Sequence, residues 1–257
     1  MVGFILVVGI IILISVILIN IFKYISFKRY LLRGFKEGNV ITFGRKRKGK
    51  DIVHQYVINH RHKYYYGNIS YGGNGKVITL KDISLMPNTY DELINDNVTK
   101  IKHGFKEGCD IYISDIGNFL PNYKDSTLYK KFPSMPLFYS LCGQLYGNNV
   151  HCNSQSVERG WKALREQADF YVWAHRTVKL FGFIFITFLT TYEKYQSACQ
   201  GLMPMKKRMF NKFSKAEYDK YVATNGMIRN GFIISFKNQL KYDTRAFEKI
   251  LLKGKRK

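Results

Sequence analysis

The sequence predicts an α/β protein in which a mainly parallel sheet covered by helices follows one transmembrane helix. Three observations lead to this class. An uncharged apolar run opens the chain, short strand candidates then alternate with amphipathic helix candidates, and no linker rich in Pro, Gly or Ser divides the remainder. The chain has 257 residues, of which 46% are hydrophobic, and these can fill one sizeable core. We therefore expect one folded domain after the apolar run.

Residues 1–22 carry no charged side chain, which predicts a membrane anchor. A helix of this length rises about 33 Å, enough to cross the roughly 30 Å hydrocarbon layer. A cleaved signal peptide would have a basic start and a small-residue cleavage site, and neither is present. The following segment, residues 23–38, is basic, so the positive-inside rule places the rest of the chain in the cytoplasm. The same segment can lie on anionic lipid headgroups.

The expected elements of the main domain, residues 39–204, follow in chain order. Strands are expected near residues 39–43, 64–70, 76–80, 109–114, 149–152, 170–174 and 181–189. Helices are expected at about residues 51–62, 90–95, 137–146 and 157–167. The apolar run at residues 180–189 is too short for a second membrane span and is typical of a buried strand. This alternation favours a parallel sheet with helices on its faces.

The charge of the chain indicates an anionic partner. Lys and Arg number 41 against 18 Asp and Glu, a formal net charge of +23, which suits nucleic acid, nucleotide phosphate or an acidic lipid surface. Residues 205–257 form a basic C-terminal extension in which aromatic residues interleave with cations. Such a segment can bind nucleic acid, or it can be a solvated helix face with ordinary core aromatics. The four cysteines form no CxxC pair, which excludes a disulfide scaffold and a zinc ribbon.

Residues 44–51, GRKRKGKD, match the P-loop pattern G-x4-G-K, with Asp51 where Ser or Thr is usual. Gly44 and Gly49 let the backbone wrap a phosphate, the following helix start supplies free N–H groups, and Lys50 would reach the terminal phosphates. The alternative is a plain basic cluster. Asp51 could ligate Mg²⁺ directly or could weaken nucleotide binding. The pattern predicts a P-loop NTPase that binds ATP and Mg²⁺.

Three further residues are candidates for catalysis. The run 109–115 resembles a Walker B strand, whose acid, Asp115, would hold magnesium. Ile116 follows, where most ATPases of this group carry a Glu that orients the attacking water. Gln155 ends a later strand and can sense a γ-phosphate or orient water. Arg165, on the next helix, could stabilise transition-state charge at a neighbouring subunit's nucleotide.

The segments NVITFGRKRKGKD, DIYISDIGNFLP and VHCNSQSVERGWKALREQADFYVWAHR occur in this order. Over about residues 39–191 the chain resembles the zonular occludens toxin-like assembly ATPases of filamentous bacteriophages, membrane relatives of the DNA-translocating P-loop ATPases. The resemblance implies an ATPase of the host inner membrane that drives extrusion of single-stranded DNA. It also implies a ring of identical subunits and contacts with other phage assembly proteins. The departures are Asp51, Ile116 and a membrane span placed before the ATPase domain rather than after it.

Two functions follow from these observations. The first is a single-pass, membrane-anchored ATPase acting in phage assembly and DNA export. The second is a non-enzymatic membrane tether that binds nucleic acid or acidic lipid on a degenerate nucleotide-binding fold. Asp51 and Ile116 favour the tether, whereas Lys50, Asp115 and Gln155 together favour the ATPase.

Overall fold

The computed structural model describes residues 2–78, 105–120, 124–131, 139–140, 142–144, 147–205 and 215–241. Its strands are β1 Val40–Phe43, β2 Tyr65–Gly67, β3 Gly75–Val77, β4 Asp110–Ile113, β5 Asn149–Ser154, β6 Phe170–Leu180, β7 Ile184–Tyr192 and β8 Ile228–Phe236. Its helices are α1 Val2–Glu37, α2 Lys50–Arg61, α3 Ile116–Phe119, α4 Asp125–Lys131, α5 Lys162–Arg165, α6 Tyr195–Cys199 and α7 Lys215–Asn225. Short 3₁₀ turns lie at Val157–Arg159 and Lys237–Gln239.

Within these residues the strands form one sheet of eight, in the order β3-β2-β4-β5-β1-β6-β7-β8. The strands from β3 to β6 in this order pair in parallel, and β7 and β8 pair antiparallel at one edge. The predicted mainly parallel α/β sheet behind a long apolar helix is confirmed. Strand β5 lies between β1 and β4, so the ends of these three strands are neighbours.

The two further strands expected at residues 170–174 and 181–189 extend the sheet as predicted, whereas one helix prediction is wrong. Strand β6 pairs in parallel with β1, and β7 turns back to pair antiparallel with β6. The chain reverses at once, with Phe181 and Gly182 at positive φ, and a parallel connection needs a crossover of a dozen or more residues. The helix expected at residues 157–167 is a 3₁₀ turn and the short helix α5, because Gly160 between them is extended (φ −72°, ψ 158°).

Other predictions concern residues that lie wholly or partly outside the described part of the chain. The helix expected at residues 90–95 lies outside the described residues, and that at 137–146 is described only at 139–140 and 142–144. The sheet continues into residues 205–257, since β8 pairs with β7 along its whole length. The basic clusters at 206–213 and 253–257 lie outside the described residues.

Helix α1 is one continuous helix of 36 residues, longer than the predicted span. Its most apolar 18-residue window has a mean hydropathy of 2.5 and is not buried, so it has the length and composition of a membrane span. Its second half packs on the domain through Phe27, Leu31 and Phe35, which are buried and recur every four residues along one helix face. Gly231 of β8 makes room for Phe27, because a Cβ there would lie 2.1 Å from the ring.

The core has two apolar layers, one on each face of the sheet. Val40 and Tyr112 point to the face that α1 and α2 cover, whereas Ile41, Ile111 and Ile113 point to the opposite face. This alternation follows from the two-residue period of a strand. The fold therefore fixes α2, and with it the P-loop that precedes α2, against the central parallel strands.

Candidate nucleotide-binding site

The P-loop, residues 44–51, joins the carboxyl end of β1 to the start of α2. The ends of β4 and β5 lie beside it, because these strands are parallel to β1 and adjacent to it in the order β1-β5-β4. The N–H group of Gly44 donates to the carbonyl of Ser154 at 3.2 Å, which ties the loop to the end of β5. Ligands of open parallel sheets bind at this edge.

Both glycines of the loop are required by its conformation. Gly49 has φ 95°, and a Cβ at this position would lie 2.2 Å from Oγ1 of Thr177. At Gly44 a Cβ would lie 2.4 Å from the carbonyl oxygen of Ala174. Thr177 also donates to the carbonyl of Lys48 at 3.2 Å. Strand β6 therefore supports the loop from one side, and a larger residue at either glycine would displace it.

Helix α2 presents its N-terminus within this loop. Its first intrahelical hydrogen bond runs from the N–H of Val53 to the carbonyl of Gly49 at 3.1 Å, and the N-cap, Gly49, has no side chain to cap the helix. The N–H groups of the first turn are thus at the open end of a 12-residue helix. Such an end attracts anions through its N–H groups and its dipole.

The ammonium of Lys50 lies within the loop. Its Nζ donates to the carbonyls of Gly44 at 3.0 Å and Arg45 at 3.3 Å, and the residue is only 9% exposed. Burial lowers the pKa of Lys50, and the nearby carboxylates of Asp51 and Asp115 oppose that shift. The loop therefore holds a cation at the place where the P-loop pattern puts the phosphate-binding lysine.

The carboxylate of Asp51 contacts the ends of two strands. Its Oδ1 accepts hydrogen bonds from Oγ of Ser114 at 2.8 Å and from Nδ2 of Asn153 at 2.7 Å, and Tyr71 donates to the same oxygen at 3.4 Å. Ser114 directly follows β4, and Asn153 lies near the end of β5; both are buried. Sequence reasoning missed Ser114, Asn153 and Tyr71, although Ser114 adjoins the predicted Asp115.

Asp115 lies at the same edge, one residue beyond Ser114. Its backbone has φ 52°, and its carboxylate accepts from Nδ2 of Asn118 at 2.5 Å. Its backbone N–H donates to Oδ1 of Asn153 at 2.6 Å. The charge of Asp115 acts on the pKa of Lys50, so the two side chains are near each other. Asp115 makes no hydrogen bond to Asp51 among the described residues. Its role as a magnesium ligand stays a prediction.

Gln155 and Arg165 differ in access to the site. Gln155, just beyond β5, accepts from Nη1 of Arg159 at 2.6 Å, and Arg159 is exposed. Arg165 is only 9% exposed, and its Nη1 donates to the carbonyl of Glu158 at 2.5 Å. The structure thus places Gln155 beside the loop and Arg165 inside the domain. Their catalytic roles stay predictions, and Arg159 is the more accessible arginine of this segment.

Asp51 and Asp115 are the carboxylates of this edge that could hold a magnesium ion. Each has one carboxylate oxygen, Oδ2 of Asp51 and Oδ1 of Asp115, that accepts no hydrogen bond from the part of the chain that the structure describes, and Mg²⁺ prefers such hard oxygen ligands. No group of three or more His, Cys, Asp or Glu side chains forms a metal cage within the described residues. Magnesium in nucleotide sites takes one or two protein oxygens together with substrate phosphates, and this site fits that pattern.

No protein-family model matches the sequence, and no curated protein matches it. Among solved structures, the chain is similar to the N-terminal domain of zonular occludens toxin from Neisseria meningitidis. That match has a TM-score of 0.41 and 10% identity, and covers 82% of this chain and 98% of the other. A second match is the genome packaging NTPase of Sulfolobus turreted icosahedral virus 2 in complex with AMPPCP. Its TM-score is 0.37 and its identity 11%, with 81% of this chain and 96% of the other covered.

Proposed function

We propose that this protein is a membrane-anchored ATPase that couples nucleotide hydrolysis to filamentous phage assembly and extrusion of single-stranded DNA. One observation carries the proposal: Lys50 is buried against the carbonyls of a loop whose glycines, strand and helix all have the P-loop arrangement. A plain basic cluster would leave its lysines in solvent, because burying an ammonium costs free energy unless hydrogen bonds compensate it, as the two carbonyls do for Lys50. Arg45, Lys46 and Arg47 of the same loop are exposed, as such a cluster would be.

The residues of the site have separate tasks in this proposal. The N–H groups at the start of α2 bind the phosphates of ATP, and Lys50 neutralises the terminal ones. Asp51 holds Mg²⁺, which when bound with ATP neutralises the charge that develops on the phosphates. Asp115 and Gln155 lie at the same edge and orient the attacking water. Arg159, which is exposed beyond β5, would act on the nucleotide of a neighbouring subunit in a ring.

The membrane and DNA parts of the proposal rest on α1 and on charge. Helix α1 anchors the chain in the host inner membrane, and the basic residues after residue 22 keep the domain in the cytoplasm. The net charge of +23 suits a DNA backbone as a partner. The viral NTPase to which the chain is similar in fold packages a genome, which is a related task on nucleic acid. Other phage assembly proteins complete the set of proposed partners.

The test is nucleotide binding and turnover by the full chain in detergent, with Mg²⁺ and ATP, with and without single-stranded DNA. Replacing Lys50 by Ala should weaken ATP binding by roughly 10–100-fold, because one charge-assisted contact to phosphate is lost. Lys46→Ala is the matched control: it removes an equal charge from an exposed position of the same loop. Its affinity should stay within about threefold of the wild type, an effect expected of a screened surface charge.

The second function, a non-enzymatic tether, is favoured by one observation. Asp51 puts a carboxylate at the first turn of α2, close to where phosphate charge would bind. If the wild type binds no ATP, or if Lys50→Ala and Lys46→Ala behave alike, the ATPase proposal is wrong and the tether is the better description.

A cytoplasm-specific reporter fused to the C-terminus should be active; activity of a periplasm-specific reporter there would contradict both the orientation and the ATPase.

A further inference from the structure

We propose that the two protein ligands of magnesium have exchanged positions in this site. Asp51, on the loop helix, supplies the carboxylate, and Ser114, after β4, supplies the hydroxyl. In the usual P-loop NTPase, Ser or Thr follows the loop lysine and an Asp of the Walker B strand provides the acid. This inference rests on the proposed nucleotide binding and names the residues that hold the cation there.

The first support is that the two residues contact each other. Oγ of Ser114 donates to Oδ1 of Asp51 at 2.8 Å, across 63 positions of sequence. A loop that had merely lost its Ser or Thr would not have a hydroxyl at the end of the partner strand, in contact with the new acid. The site therefore keeps one hydroxyl and one carboxylate, with the same total charge, and only their places on the two elements are reversed.

The second support is the register of the sheet. The parallel pairing of β4 with β5 runs from Asp110 with Asn149 to Ile113 with Cys152. The next residues on the two strands are Ser114 and Asn153, and both bind the same oxygen of Asp51. Ser114, and not Asp115, thus occupies the strand-end position that faces the loop helix.

With this register, the proposed role of Asp115 is to orient water and not to hold the metal. This residue comes one residue after the metal-facing position, which is where most ATPases of this group have the Glu that orients water. Its carboxylate accepts from Asn118 and lies close enough to Lys50 to oppose the lowering of that lysine's pKa. Ile116 then follows the acid, and the motif has no missing residue.

The third support is the environment of Asp51. Three neutral donors, from Ser114, Asn153 and Tyr71, converge on Oδ1. They leave Oδ2 without a hydrogen bond from any described residue, so this oxygen is available to bind a cation. The start of a helix also stabilises a nearby carboxylate, which allows Asp51 to stand there before Mg²⁺ and ATP bind.

The experiment restores the usual arrangement, with the hydroxyl at position 51 and the carboxylate at position 114. Asp51→Ser, Ser114→Asp and the double variant are made in the full chain in detergent, and ATP affinity is measured with Mg²⁺ and with EDTA, together with the melting temperature. In the wild type Mg²⁺ should tighten ATP binding by roughly tenfold or more. Each single variant should lose this gain. Asp51→Ser has two hydroxyls and no carboxylate at the two positions, and Ser114→Asp has two carboxylates in contact. The double variant should recover it to within about threefold, because it again has one hydroxyl and one carboxylate, and the double-mutant cycle then gives the coupling between the two positions.

Conservative variants keep the test decisive if Ser114→Asp does not fold. Asp51→Asn should reduce the Mg²⁺ gain while the melting temperature stays close to that of the wild type, because the side chain keeps an oxygen that accepts the three hydrogen bonds. Ser114→Ala should reduce the Mg²⁺ gain and also lower the melting temperature, because a buried hydroxyl that donates to Asp51 and accepts from Asn153 is lost. Asp115→Asn is the comparison within the same strand end: it should stop turnover but keep the Mg²⁺ gain in ATP binding.

Three results would overturn the exchange. These are a folded double variant no better than its worse parent, equal ATP affinity of the wild type in Mg²⁺ and EDTA, or loss of the Mg²⁺ gain in Asp115→Asn but not in Asp51→Asn. The second and third leave nucleotide binding intact and so spare the proposed function. A wild type that binds no ATP under any condition would instead remove the proposed function, and the exchange with it.

Discussion

Two carboxylates lie at opposite ends of the same three elements, and their surroundings differ. Asp51, at the start of α2, meets the ends of β4 and β5. Asp110, the first residue of β4, meets Arg61 at the end of α2 and lies near His151 of β5. The helix and strands are shared, so the comparison isolates what each carboxylate binds.

Asp110 belongs to a closed cluster. Its carboxylate lies 2.8 Å from Nη1 of Arg61, and the two side chains are 2% and 8% exposed. Burial raises the pKa of Asp110 to about 6, and the charge of Arg61 limits that rise. Arg61 also donates to the carbonyl of Phe35, and Asn149 donates to that of Lys36 at 2.8 Å. The cluster thus binds carbonyls at the C-terminal end of α1 and joins this end to the sheet.

Asp51 belongs to an open cluster. It is partly exposed, its hydrogen-bond donors are neutral, and it forms no ion pair with any residue that the structure describes. Asp110 is paired with the Arg61 cation at 2.8 Å, whereas Asp51 forms no such ion pair within the described residues. We propose that one end of the three elements stabilises the fold and that the other binds a ligand.

The largest effect should come from breaking the closed cluster. Arg61→Ala leaves the Asp110 carboxylate buried without its cation, which should lower the free energy of unfolding by about 3–5 kcal/mol. Denaturation of the full chain in detergent at neutral pH measures this. Lys162→Ala, which removes an exposed charge from α5 outside this cluster, is the control and should change stability by less than about 0.5 kcal/mol. A wild-type melting curve for Arg61→Ala would show that the cluster does not stabilise the fold.

The next effect concerns His54, which lies on α2 between the clusters and bonds to Tyr71 at 3.2 Å. Burial, with a smaller contribution from Lys50, lowers the pKa of His54 from 6.5 to about 4, and Asp51 opposes this. Between these pH values the unfolded chain binds the proton and the folded chain does not, so His54 makes stability fall as pH is lowered. The full difference is about 3 kcal/mol.

His54→Asn isolates this contribution. Asp110, whose pKa burial raises to about 6, shifts stability in the opposite direction, but it is present in both proteins. The free energy of unfolding should therefore drop more for the wild type than for the variant when pH falls from 6.5 to 4. Parallel pH profiles of the two proteins would mean that His54 is not kept neutral by the fold.

The smallest effect should come from an ion pair that belongs to neither cluster. Arg33 and Glu37 on α1 lie 2.8 Å apart, but their side chains are 71% and 56% exposed. Solvent screens such a pair, so Glu37→Gln should give no measurable shift of the melting temperature. A shift as large as that of Arg61→Ala would contradict the claim that burial, and not proximity alone, makes the Asp110 pair stabilising.

The parts of the molecule that local sequence fixes could be predicted. The P-loop residues Gly44, Gly49 and Lys50 lie together because they are close in the chain, and the alternation of elements gave the fold class. The contacts of Asp51 could not be predicted, because Ser114 and Asn153 are 63 and 102 positions away and meet it only through the strand order. For the same reason the sequence predicts Asp115 as a site residue but does not predict the contact made by Ser114, the residue before it.

The most direct measurement compares two isosteric variants, Asp51→Asn and Asp110→Asn, each in melting temperature and in Mg²⁺-dependent ATP affinity. Asp51→Asn should keep the wild-type melting temperature and lose the Mg²⁺ gain in ATP binding. Asp110→Asn should melt at a lower temperature, because Arg61 loses the charge of its buried partner. Below its melting temperature this variant should keep the Mg²⁺ gain in ATP binding. The opposite pattern, or loss of both properties in both variants, would contradict the division of the molecule into a stabilising end and a ligand-binding end.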